Sequence, residues 1–122
     1  MNRKFLLAAL AVVIPVGALQ AMTVAAFLEK ADALQARGMM AMFSSDIGLL
    51  KGEVTSAGAA LRAEVAAARR AGRPPSFCAP ERVRMSSNEL LAFFRAIPPA
   101  QRQRLEVRDA MRFYMVRRFP CR

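Results

Sequence analysis

From Thr23 onward the apolar residues of this chain recur at steps of three and four, and no stretch alternates apolar with polar residues long enough to make a strand. That periodicity leaves helices as the only regular element, so the expected fold is all-α, a small domain of four helices, or five if a short turn winds up. A first helix starts at Thr23, lines up Val24, Phe27, Leu28, Ala31 and Leu34 on one stripe, and stops at Gly38. Met39, Met40, Met42 and Phe43 then make a short apolar turn. Core filling is the role expected of these methionines, with an adaptable binding surface as the alternative. Ser44, Ser45 and Asp46 cap a long second helix, in which Ile47, Leu50, Val54, Ala57, Leu61, Val65 and Ala68 repeat at nearly heptad spacing until Gly72.

Pro74, Pro75 and Pro80 lack amide donors and push their predecessors toward extended backbone, so residues 72–80 form a loop. A third helix opens with Ser86 and Glu89 at capping-box spacing, buries Leu90, Leu91, Phe94 and Ile97, and ends at Pro98 and Pro99. A basic connector over 100–104 leads to a fourth helix with Val107, Met111, Tyr114 and Met115 facing inward. Phe119, Pro120 and Cys121 close the chain against the proline-rich loop.

The first residues follow a different plan. Arg3 and Lys4 precede an uncharged apolar run over 5–14, which Pro15 and Gly17 break just before small residues. A basic n-region, an apolar h-region and a small-residue exit make a secretory signal peptide over 1–21, cut after Ala21 in preference to Ala18. The helical domain is then 22–122, and its expected location is the periplasm. An uncleaved inner-membrane anchor is the alternative, because no charge appears from Phe5 to Leu28, but Pro15, Gly17, Gln20 and Thr23 dilute that run.

Export decides how the two cysteines are read, since thiols in an oxidising compartment pair. Cys78 and Cys121 are expected to form one disulfide that closes the domain, with about 4 kcal/mol of loop-closure stabilisation as an upper figure. Neither has a neighbouring base or further ligands at the short spacing that a reactive or metal-binding thiol needs.

Composition narrows the chemistry. There is no His, no Trp and one Tyr in 122 residues, so the commonest general base and the commonest transition-metal ligand are both missing. Ser44, Ser45 and Asp46 read as a cap rather than a nucleophile with its carboxylate. Glu53 and Glu64 fall nearly on one helix face, but about 16 Å apart along its axis, too far for an acid and base pair. No catalytic, cofactor or metal residue is assigned, and the chain is expected not to be an enzyme.

Charge points either to a partner or to a general use of arginine wherever lysine would serve. Setting aside Arg3 and Lys4 leaves 17 basic residues against nine acids, and 11 of the basic residues but only four of the acids lie from Arg73 onward. Such a half steers toward an acidic protein or anionic lipid head groups at a membrane surface. Nucleic acid fits poorly, because export removes the chain from it and no aromatics interleave with the arginines beyond Phe113 and Tyr114. Arg102, Arg104 and Arg108 are the candidate partner-binding residues.

The order Cys78-x-Pro80, then Glu89-Leu-Leu-Ala-Phe-Phe-Arg95, then Pro98-Pro99, an amphipathic helix and a terminal Phe119-Pro-Cys121 resembles the Tai/Rap family of immunity proteins. Those proteins neutralise peptidoglycan amidases delivered by type VI secretion. The resemblance covers roughly residues 23–122 and is densest in the C-terminal half; the central helix here lacks the Cys and the glycine-aromatic turn that many members carry. It implies a small, exported, helical, disulfide-bonded domain that occludes the cleft of a cell-wall amidase, with that amidase as its protein partner. The alternative is a helical periplasmic stress or chaperone-like protein of the same fold without a toxin partner.

Overall fold

A computed structural model describes residues 21–122. The expected signal peptide and its cleavage sites fall on residues outside that range, save Ala21, and so does the alternative membrane anchor up to residue 20. Among the described residues no helix is long and apolar enough to cross a membrane.

The domain is all-α. Thr23 leaves its extended backbone to begin α1 (Val24–Arg37), its hydroxyl accepting a hydrogen bond from the Ala26 amide at 3.1 Å. Gly38 ends the helix at φ 57, where an L side chain would be strained, and the chain continues as a 3-10 turn, Gly38–Phe43. The Ser44 hydroxyl accepts from the Asp46 amide and opens α2 (Ser45–Arg70). Its alanines sustain 26 residues of helix, and Gly72 turns the chain away at φ 69.

An irregular loop follows. Ser86 then opens α3 (Ser87–Ala96), accepting from the Glu89 amide at 3.1 Å. Only half of the capping box closes, because the Glu89 carboxylate turns toward Tyr114 and Arg118 instead. The expected basic connector is itself a one-turn helix, α4 (Pro99–Arg102). Pro99 starts it at a position where a missing amide costs nothing. The last helix is α5 (Val107–Arg118).

The core lies where α1, α2, α3 and α5 meet, with α2 packed mainly on α5 and α1 leaning on both α2 and α3. Phe94 is fully buried and meets Phe27 edge to face, ring centroids 5.4 Å apart. Val24, Val107, Ala110, Met111 and Leu61 surround them, and no polar side chain is buried among the described residues. Most stripe residues expected from periodicity are here, while Leu34, Val54, Val65, Leu91, Ile97 and Tyr114 are half-buried at its edge and Ile47 and Ala68 are half-buried outside the cluster. Phe77, in the proline-rich loop, is also buried, as periodicity cannot foresee in a segment without helix.

Two ties hold the ends of the domain. Backbone bonds from the Val24 amide to the Leu105 carbonyl and from the Val107 amide to the Met22 carbonyl, each 2.9 Å, clip the entrance of α1 to the entrance of α5. Cys78 and Cys121 form the disulfide, their Cα atoms 4.9 Å apart across a sequence separation of 43. The Cys78 amide also donates to the Phe119 carbonyl at 2.8 Å, so backbone and sulfur together pin the loop to the end of α5.

Candidate functional site

Among the described residues, the turn between α1 and α2 carries the largest apolar exposure. A 3-10 helix has three residues per turn, so residues three apart stack into ridges, here Gly38 with Ala41, Met39 with Met42, and Met40 with Phe43. Only one ridge can face the core. Ala41 reaches it as the single buried residue of the turn, while Gly38 is exposed at the helix end. Met39, Met40, Met42 and Phe43 are left 83, 67, 75 and 85 % exposed. Core filling, the role expected of the methionines, is not what they do: the turn winds with period three and brings only Ala41 to the core. An exposed cluster of this kind on a small domain is a candidate contact surface, and thioethers suit one that must adapt.

The three candidate arginines separate. The Arg102 guanidinium turns inward onto its own chain, donating to the carbonyls of Ile97 at 2.7 Å and Arg95 at 2.6 Å. It thus supplies partners for the last carbonyls of α3, where Pro98 and Pro99 end the backbone pattern. Arg104 is exposed and forms no ion pair among the described residues. Arg108 reaches Glu106 at 3.7 Å with its side chain still exposed. The three do not converge on one point. Elsewhere Arg95 binds Asp32 at 2.7 Å and Gln35 at 3.0 Å, joining α3 to α1.

The carboxylates of α2 are occupied separately. Glu53 accepts from the Met22 amide at 3.2 Å, and Glu64 takes both ends of the Arg112 guanidinium at 2.6 and 3.0 Å. Asp109 holds the third edge at 2.8 Å. The Glu64 hydrogen bond raises the affinity of Arg112 for its proton, burial opposes it, and Asp109 reinforces it, leaving the guanidinium held above its usual range. This cluster fastens α5 to α2. The Ser44 hydroxyl is engaged at its cap. Among the described residues no three Cys, Asp or Glu side chains gather to hold a metal ion.

Fold and surface together define a class: a small all-α domain, closed by one disulfide, with an apolar turn at one end and a basic C-terminal half. Comparison with models of known protein families, with curated proteins and with solved structures finds no match.

Proposed function

We propose that the chain is an exported, non-enzymatic protein-binding domain, an immunity-type inhibitor that occludes a cell-wall amidase. The observation that carries this reading is the exposed turn of Met39, Met40, Met42 and Phe43 on a frame tied by the disulfide and the Arg112 cluster. A stiff scaffold spends little ordering entropy on association, so an apolar projection from it can block a groove sterically. The resemblance of the C-terminal half to the Tai/Rap immunity proteins supplies the enzyme class. Unpaired arginines such as Arg104 assist the encounter with an acidic surface.

The test is a pull-down from the periplasm of a strain that expresses the amidase, followed by amidase assays on the purified pair. The domain alone should hydrolyse nothing and the pair should be inactive, with inhibition weakened about tenfold by Met40→Ser with Phe43→Ser. Recovery of no partner overturns the inhibitor. Methionine on an exposed turn also favours a second reading, a chaperone-like envelope protein, because thioethers adapt to many partners. That reading requires suppression of aggregation of several unfolded clients, lost in the same double variant.

A further inference from the structure

Two cavities, of about 470 and 330 Å³, lie along α2 and adjoin at Val54, Thr55 and Met85, which line both, and the pair is here called the furrow. Lys51 lines one end and Arg62 the other. Eleven residues is close to three helical turns, so the two cations project from one face of α2 roughly 16 Å apart. Neither forms an ion pair among the described residues, and Glu81 lines the Arg62 end without pairing with it. Between them Gly58 leaves the floor open, since a Cβ there would meet only Nη1 of Arg62, at 3.8 Å.

The charges select the occupant. An acyl chain would use the apolar walls and at most one cation, leaving the other bare. A second copy would bring a chain of formal net charge +10 against another of the same charge. A helix with an apolar stripe bracketed by two carboxylates three turns apart uses the walls and both cations, and Gly58 lets it lie close to α2. We infer that the furrow seats an acidic amphipathic helix of a partner protein, its apolar stripe on Val54 and Met85 and its carboxylates on Lys51 and Arg62. This rests on the protein-binding reading and gives it a second contact surface, apart from the apolar turn.

The probe is a synthetic helical peptide of about 18 residues, five turns, with leucines on one face and two glutamates eleven positions apart beside them. Its twin carries lysines at those two positions. Fluorescence anisotropy should show the glutamate peptide binding the domain about tenfold tighter than its twin, and the Lys51→Glu, Arg62→Glu double variant should reverse that preference. Gly58→Leu puts a bulky side chain on the furrow floor, where an added Cβ meets only the flexible end of Arg62, so it should weaken the peptide about tenfold, and an unchanged melting temperature checks that the fold is kept. A preference indifferent to the charge reversal, or affinity indifferent to Gly58→Leu, overturns the inference. Laurate that displaces the peptide from wild type and reversed variant alike assigns the furrow to an acyl chain. Self-association that Gly58→Leu abolishes assigns it to a second copy. An amidase captured equally by wild type and Gly58→Leu removes the furrow but leaves the inhibitor standing, whereas capture by neither, beside a bound peptide, does the reverse.

Discussion

Arg102 and Arg104 stand two positions apart and do opposite work. Arg102 closes the C-terminal carbonyls of α3 with bonds of 2.7 and 2.6 Å, so Arg102→Ala exposes acceptors whose partner was a charged donor. That change should cost about 1.5 kcal/mol of stability, read from urea unfolding with an unchanged slope. Arg104 touches no acid, so Arg104→Glu should leave stability within about 0.5 kcal/mol and slow association with the partner, most of all at low salt. An equal loss of stability in both variants would refute the division. In the sequence Arg102, Arg104 and Arg108 share charge and neighbourhood and look alike. What separates them is the position of the α3 carbonyls, set by how α3 and α4 fold against each other, which no count of arginines contains.

Helices α1, α2, α3 and α5 were legible because their signals are local. Thr23, Ser44 and Ser86 each accept a backbone amide as their positions before an apolar run imply, and Gly38 and Gly72 mark ends with positive φ. The 3-10 turn is not legible in the same way, because its apolar residues fit a core in composition while its period of three turns them outward. Helix α4 was read as a connector because one turn leaves too little periodicity to see. Within α2 the glycines are a reserve of stability. Gly52 meets nothing within 4 Å where a Cβ would stand, so Gly52→Ala should add about 0.5 to 1 kcal/mol by restricting the unfolded chain and favouring helix. Gly38→Ala should do the reverse, since φ 57 admits an L side chain only with strain. Thermal unfolding of the pair checks both signs, and a stabilising Gly38→Ala would mean that the α1 end relaxes at no cost.

At the scale of the molecule, the loop between α2 and α3 is the part that helix packing holds least. Phe77 anchors it from inside, the Cys78 amide bonds Phe119 O, and the disulfide ties it from outside, where both cysteines are exposed. The disulfide could be read from two cysteines and the expectation of export, whereas Phe77 could not, because an aromatic among prolines has no period to place it. Reduction, or Cys78→Ala with Cys121→Ala, should cost about 2 to 5 kcal/mol, mainly by freeing the unfolded chain to expand. Phe77→Ala should cost about 3 kcal/mol as a cavity in the core. The two losses should not add. Once the disulfide is gone the loop can lift Phe77 away part of the time, so the core loses less when the ring is then removed. In a double-mutant cycle the combined variant should therefore unfold with about 1 kcal/mol less total loss than the sum of its parts. Strict additivity would mean that Phe77 is held by the core alone, and that the disulfide acts on the unfolded chain without restraining the folded loop.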